Sequence, residues 1–334
     1  SWVASEVSWV AMSAWASWVA SEVSSLAALS RLRSLRTLHP LNGSPLKVAV
    51  ETRTLRSMLM NEPSVGGAPD LRRASCEASA PAGAMHELTI FAANDYLGLS
   101  GHAETRAAAA QAAAAHGSGP RASALVCGYT QMHRELERSL AELTGCDEVL
   151  LYPSGFAANL SVIGALADSA DVAVFSDELN HASIVDGARL AARGAGAALH
   201  VYRHNDLNHL EALLAACTAP RKLIVSDALF SMDGDLADCK GLVTLRQRYG
   251  ALLCLDEAHA TLVFGHRGGG VAQAMGVERQ VDVHVGTLSK AVGSQGGFVG
   301  CSSPMKQLLL SKGRAGIYST AMPLPSVAAA RAAI

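Results

Sequence analysis

Along the second half of the chain, short apolar runs alternate with longer stretches rich in alanine and leucine. Val149–Tyr152, Val172–Phe175, Leu199–Tyr202, Leu223–Val225, Leu252–Leu255 and Val281–Val285 are each too short for an ordinary helix and predict strands. Helical patterns fill several of the gaps; Leu207–Ala216, for one, follows an Asn205-Asp206 start signal. This alternation predicts an α/β fold, a mostly parallel sheet with helices on both faces. Ligands of such sheets bind beyond the carboxyl ends of the strands. At those ends the sequence places Asp177, Asp227, Asp256 and Thr287.

The first part of the chain follows no such rhythm. SWVASEVS occurs at Ser1–Ser8 and again at Ser17–Ser24, and all four tryptophans lie within the first 18 residues. Ser30–Leu38 is rich in arginine and serine and free of acids, which reads equally as part of a transit peptide or as an amphipathic helix. Leu41 to Glu87 is rich in Gly, Pro, Ser and Ala and reads as a poorly specified connector. The expected organisation is a partly disordered N-terminal segment over 1–88, a large ligand-binding domain over 89–325, and the beginning of a further domain over 326–334.

Composition narrows the function. With 27 basic and 29 acidic residues the net charge is −2, so no global field draws the chain to nucleic acid or to an acidic membrane. Seven scattered cysteines without a CxxC pair favour a reducing compartment over a disulfide framework or a zinc site. No run of about 18 apolar residues predicts a membrane span. A cytoplasmic location is expected, with a peroxisome or another organelle as the alternative.

The chemistry gathers around GTLSKAVGSQGG, Gly286–Gly297. Here Lys290 stands among small residues that leave room for something bulky, with no carboxylate close in sequence. LLCLDEAHATLVFG ends a strand in Asp256 and sets His259 three residues on. An acid there is as readily a cap for the next turn, and metal binding by Asp256, Glu257 and His259 lacks further ligands at suitable spacing. PSGFAANL starts a helix at Ser154 and Gly155, whose free N–H groups suit a phosphate, although a capped turn is the commoner meaning of a lone Ser-Gly. GSGPRA, Gly117–Ala122, follows a helical run and not a strand, so it is no dinucleotide loop. His181 in NHASIVDG reads as a capping residue or as a flat ring stacking on another, and Ser231 in FSMDGD as a turn residue or a ligand contact. Together they compose a pyridoxal phosphate site: a Schiff-base lysine, an acid for the pyridine nitrogen, and a helix start for the phosphate. No metal is expected.

In order along the chain, NDYLGLS (Asn94–Ser100), GYTQMHRELE (Gly128–Glu137), SGFAANL, NHASIVDG, FSMDGD, DEAH and GTLSKA resemble the α-oxoamine synthases, from about Phe91 onward. These are fold-type I pyridoxal phosphate transferases that join an amino acid to an acyl thioester with loss of CO2. SDALFSMDGD, and VGTLSKA followed by GGF, are most similar to the plant and algal branch of biotin biosynthesis. That branch condenses L-alanine with pimeloyl-CoA, or a pimeloyl carrier protein, to 8-amino-7-oxononanoate. The resemblance implies that Lys290 carries the cofactor and moves the α-proton, that Asp256 holds the pyridine nitrogen and that His259 holds the ring hydroxyl. It implies that His181 stacks on the ring and touches the substrate, that Gly155, Phe156 and Thr287 hold the phosphate, that Ser231 bonds the cofactor, and that Asn94 lies near the substrate carboxylate. Tyr318 and Thr320 would reach the phosphate of a partner subunit, since the family's sites are shared across a homodimer. LSRLRSLRTLHP (Leu29–Pro40) also resembles that branch, which argues against a transit peptide. Asp256-Glu257-Ala258-His259-Ala260 stands where the family often has DDAHG; the key Asp and His survive, so the departure is expected to be peripheral. The end at Ile334, short of the family's small C-terminal domain, is expected to mark a fragment. Two alternatives stay open: a synthase using glycine or serine with a different acyl thioester, and a non-catalytic partner subunit, which would be expected to lack Lys290.

Overall fold

A computed structural model describes residues 3–29, 31, 33, 35–41, 46–52, 54, 55, 58 and 84–334. Residues 1–91 and 92–334 are separate compact units. In the first, helix α1 (Val3–Ala28) precedes β1 (His39–Pro40), β2 (Lys47–Glu51) and β3 (Met85–Thr89), which pair antiparallel in that order. Both ends of the stretch read as a connector are therefore strands. The signal in KVAVE is only five residues long, and its partner β3 begins 34 residues after β2 ends, too remote for a local pattern to reveal. Val48 and Val50 are buried, and Lys47 is bonded to Glu87 across the pair at 2.7 Å. The middle of that stretch, 59–83, lies outside the described residues. Within 30–38 the described residues are not helical, unlike the amphipathic helix considered there. Among the described residues no helix is long and apolar enough to cross a membrane.

The second unit runs α2 (Ala103–His116), α3 (Gln131–Thr144), β4 (Glu148–Tyr152), α4 (Gly155–Leu166), β5 (Val172–Asp177), α5 (Ala182–Ala195), β6 (Ala198–Tyr202), α6 (Leu207–Ala216) and β7 (Arg221–Asp227). It continues with α7 (Cys239–Tyr249), β8 (Leu252–Asp256), α8 (Val271–Ala274), β9 (Val283–Thr287), β10 (Gly297–Cys301), α9 (Ser303–Lys312), α10 (Arg314–Ile317) and α11 (Leu324–Ala333). The sheet order is β4-β10-β9-β8-β7-β5-β6. From β9 to β6 every pairing is parallel, whereas β10 runs antiparallel to both its neighbours.

Alternation within the strands divides the core. Val172, Val174, Leu223, Val225 and Cys254 face α4 and α5, joining Val162, Ile163, Ile184 and Ala188. Ala173, Phe175, Ile224, Leu253 and Leu255 face the other way, against Leu210 and Leu214 of α6 and Leu242 and Leu245 of α7. The fold is thus the mostly parallel, two-faced sheet expected from the pattern. A third cluster joins Leu136 and Leu140 of α3 to Phe298 of β10 and Val327 of α11.

Two features depart from the sequence reading. β9 starts at Val283 rather than Val281, because Asp282 is spent outside the strand, accepting from the Leu253 N–H at 2.8 Å and from Arg246 Nε at 2.9 Å. β10 was hidden in GGFVGC, where glycine masks a strand buried at every position. Those glycines are required by close approach. A Cβ on Gly286 would stand 2.2 Å from the Phe298 ring, and one on Gly297 would stand 2.4 Å from the Ser154 carbonyl. The sheet therefore presses directly under the start of α4, and the carboxyl ends of β5, β7, β8 and β9 open beside that helix start.

Candidate active site

A cavity of about 210 Å³ lies at these strand ends, lined by Gly155, Phe156, His181, Asp256, His259, Thr287 and Lys290 among others. Each comes from a strand end or the element that follows it. Asp256 and Thr287 terminate β8 and β9, Lys290 is three residues past β9, His181 caps α5, and Gly155 opens α4. Ser154 caps α4 by accepting from the Ala157 N–H at 3.1 Å, and the Gly155 and Phe156 N–H groups of the first turn have no intrahelical partner.

Lys290 is largely buried and its Nζ contacts His259 Nε2 at 2.7 Å. Burial pulls its pKa below the usual lysine value, and the Asp256 and Asp227 carboxylates oppose that pull. Burial also pushes His259 down to about 4, with the charge of Lys290 and that of His181 adding to it. A neutral His259 has one donor and one acceptor nitrogen. With the lysine amine donating to Nε2, Nδ1–H donates to Tyr96 Oη at 2.7 Å, and the tyrosine hydroxyl donates to Asn94 Oδ1 at 3.4 Å. A one-way chain thus leads from Lys290 to Asn94.

Asp256 accepts from the Ala258 N–H at 2.9 Å and from Asn159 Nδ2 at 2.6 Å. A carboxylate has about four acceptor positions, so capacity remains for another donor. Asn159 also donates to Ser183 Oγ at 2.9 Å, and that hydroxyl meets His181 Nδ1 at 2.7 Å. Because Nδ1 also accepts from the Ser183 N–H, the His181 proton belongs on Nε2. The His181 and Phe156 rings meet edge to face at 6.4 Å. Thr287 Oγ1 is held by Ser289 Oγ at 2.8 Å and by the Gly296 carbonyl at 3.0 Å.

Ser231 is exposed in the turn after β7 and is not part of the cavity lining, and neither is Thr320, whose segment bridges to Ser123. Tyr318 is exposed beneath Arg314. Among the described residues, Asn94 joins the site through Tyr96. Glu257 is spent elsewhere: fully buried, it accepts from the Val271 and Ala272 N–H groups at 2.8 and 2.9 Å, and burial pushes it up to about 7. Among the described residues, no group of three potential ligands is placed to hold a metal.

Sequence reasoning passed over Tyr96, Asn159, Ser183 and Asp227 as functional groups. Tyr96 and Asn159 lie inside quoted motifs, and a polar residue in the apolar stretch GFAANLSVIGAL was the available signal for Asn159. Replacing Tyr96 with phenylalanine removes the bond from His259 at 2.7 Å and the long one to Asn94 at 3.4 Å, of which the short bond is worth about 1 kcal/mol. Cofactor affinity is expected to weaken about fivefold with the unfolding midpoint little changed, as fluorescence titration and calorimetry will measure.

Residues 86–334 match the family model described as aminotransferase class I and II. The chain belongs to that family. Pyridoxal phosphate is the family's cofactor. An 8-amino-7-oxononanoate synthase of Arabidopsis thaliana is 47% identical over 302 residues, covering 86% of this chain and 63% of the relative. Another, from Anaeromyxobacter sp. (strain K), is 49% identical over 247 residues, covering 74% of this chain and 61% of the relative. The chain therefore spans less than two thirds of these relatives. Among solved structures, Sphingomonas wittichii serine palmitoyltransferase superposes with a TM-score of 0.71 at 33% identity, covering 74% of this chain and 61% of that one. The 8-amino-7-oxononanoate synthase of Francisella tularensis gives 0.61 at 27%, covering 72% of this chain and 66% of that one. These relatives agree with the resemblance to α-oxoamine synthases carried by the motifs.

Proposed function

We propose that the protein to which this chain belongs binds pyridoxal phosphate in the cavity at Lys290 and condenses L-alanine with a pimeloyl thioester. The products are 8-amino-7-oxononanoate, CO2 and the free thiol carrier, a step of biotin synthesis. The observation that carries this reading is the convergence of a largely buried amine, a carboxylate with spare acceptor capacity and an open helix start in one cavity. The residues fit the cofactor. Asn159 Oδ1 is buried there without a partner, and Gly155 keeps the helix start clear, since a Cβ on it would stand 3.3 Å from Thr287.

Asp256 would hold the pyridine nitrogen, His259 the ring hydroxyl and His181 the ring face. Gly155, Phe156 and Thr287 would hold the phosphate, where the positive end of α4 favours an anion. When bound, the cofactor withdraws electrons from the α-carbon of the amino acid it carries. Lys290, whose pKa burial lowers, is suited to take the α-proton and to return a proton at the end. His259 and Tyr96 orient the amine, and Asn94 lies along the same chain for the substrate carboxylate. Ser231 would close on the cofactor from the turn after β7.

A homodimer is part of the proposal. Thr320 is exposed, and Leu125, Val126 and Tyr318 are apolar groups open to solvent at 55%, 78% and 73%. Such a surface suits a second copy bringing Tyr318 and Thr320 to the neighbouring phosphate. We also place the protein in the cytoplasm, supported by six free cysteines among the described residues.

The serine palmitoyltransferase neighbours, with the higher TM-scores, favour serine and a longer acyl thioester as a second reading. Sequence identity favours the first: 47% and 49% against 33%. The deciding experiment offers alanine, glycine and serine with pimeloyl-CoA and palmitoyl-CoA and follows thiol release. Thiol release with alanine and pimeloyl-CoA alone supports the first reading. Preference for serine with palmitoyl-CoA replaces it with the second.

A further inference from the structure

His204 lies outside the cavity and has no part in the chemistry above, yet its ring is bound at both ends to acids. Nδ1 stands 3.0 Å from Asp177 Oδ1, at the carboxyl end of β5, and Nε2 stands 2.9 Å from Asp235 Oδ2. A carboxylate only accepts, so both contacts are hydrogen bonds only when both ring nitrogens carry protons. The ring edge also packs against Phe230, with centroids 4.4 Å apart and planes at 85°.

Asp235 closes the loop that leaves β7. The Ala228 N–H donates to the Asp256 carbonyl at 2.8 Å, Leu229 bridges to Leu236, and the Phe230 N–H donates to the Asp235 carbonyl at 3.0 Å. Ser231 stands at its exposed turn. The loop therefore begins beside the cavity acids Asp227 and Asp256, and His204 ties its far side to β5.

We infer that His204, as an imidazolium bridging Asp177 and Asp235, is a positioning residue that clamps the loop 228–237 and holds Ser231 at the cofactor's side of the site. The second half of this statement rests on the cofactor reading above. The first half does not.

The two acids are unequally held. Asp177 is buried and also accepts from the Leu179 and Asn205 N–H groups, each at 2.9 Å. Asp235 has only the His204 ring and Asn205 Nδ2 on Oδ2, at 2.9 and 2.8 Å, while its Oδ1 is buried without a partner. Loss of the second ring proton therefore removes one of the two donors on Asp235 Oδ2 and loosens the loop, which Asn205 Nδ2 still holds at Asp235 and, 3.2 Å away, at the Leu236 carbonyl. Other charges around the ring are Glu178, which accepts from the His204 N–H at 2.9 Å, and Arg203, which is committed to Asp206. Asp233 belongs to the clamped turn.

The sign follows from the geometry. Burial alone pulls the ring down, but the bonds to Asp177 and Asp235 outweigh it and hold the pKa above the usual histidine value. The clamp is therefore complete below the unfolded value of about 6.5 and is lost as pH rises through the raised folded value.

The test combines ring titration by NMR, hydrogen exchange and cofactor titration, on the wild type and on the His204→Gln and Asp235→Asn variants. His204 is expected to titrate above 6.5, and lower in Asp235→Asn. Protection factors of the Phe230 and Gly234 amides are expected to fall about tenfold or more at high pH and in His204→Gln, the loss of one charge-assisted bond. Pyridoxal phosphate affinity is expected to weaken with rising pH in the wild type more than in His204→Gln. Titration at or below 6.5, or protection unchanged by pH and by the substitution, overturns the clamp. Intact clamp behaviour with cofactor affinity equal in wild type and His204→Gln at every pH overturns the link to Ser231. Absence of cofactor binding to the wild type at all pH values counts against the cofactor reading, and the exchange data still decide the clamp.

Discussion

Replacing Lys290 with alanine is expected to abolish covalent attachment of pyridoxal phosphate and to lower product formation by about a thousandfold or more. A positioned general base alone contributes about 10²–10⁴ in rate, and this lysine would also be the group that carries the cofactor. Borohydride reduction followed by peptide mass analysis checks the attachment, and product formation is read by mass spectrometry. Cofactor still trapped on the variant would refute the assignment, because another amine would then be the carrier. The fold is expected to survive. The amine is largely buried, and its hydrogen-bonding partner is the His259 ring, so its removal leaves no buried carboxylate stripped of a hydrogen bond. Asp227 loses a neighbouring cation that holds its pKa down, so it should bind its proton more tightly in the variant. A folded, soluble variant without the covalent cofactor separates loss of chemistry from loss of structure.

How far the sequence revealed this site depends on where each residue stands. Asp256, Thr287 and Lys290 were legible because a fully buried parallel strand is a nearly continuous apolar run, so the first polar residue after it marks the sheet's edge. His181 was legible for the same reason at the end of β5. β10 was not, because glycine carries no hydrophobic signal. Its glycines answer to Phe298 and Ser154, which are distant in sequence or visible only after folding. β2 and β3 needed each other across an intervening stretch of 33 residues, from 52 to 84. Asn159 and Ser183 meet only because α4 and α5 pack on one face of the sheet, so no local pattern could join them to Asp256 and His181. The clamp at His204 was out of reach for the same reason. Its three members come from β5, the turn after β6 and the loop after β7.

The second large effect concerns Asp227, a group the sequence marked only as a strand end. It is 5% exposed, accepts from the His181 N–H at 2.8 Å, and shares the cavity with Asp256 and Lys290. Burial, followed by the nearby Asp256 carboxylate, pushes it up to about 8, against the opposing pull of the His181 N–H and Lys290. Unfolded, it titrates near the ordinary aspartate value of 3.8. Between those values the folded chain keeps a proton that the unfolded chain has lost, so stability falls as pH rises through this window. Asp227→Asn keeps the acceptor for His181 and removes the titration. The stability of the cofactor-free variant relative to the wild type is therefore expected to rise by about 2–4 kcal/mol between pH 5 and pH 8.5. Urea unfolding across pH 5–9 measures the difference directly. The depressed His259 and Lys290 act in the opposite sense, but they are present in both proteins and largely cancel. Parallel pH profiles would show that Asp227 is ionised in the fold. Below about pH 8 Asp227 carries its proton and is no negative neighbour of Lys290, so the acid limb of the activity profile is expected to stay in place in the variant. Stability would then change with pH while the acid limb of activity did not, because the cavity that makes Asp227 costly to ionise keeps it neutral beside Lys290.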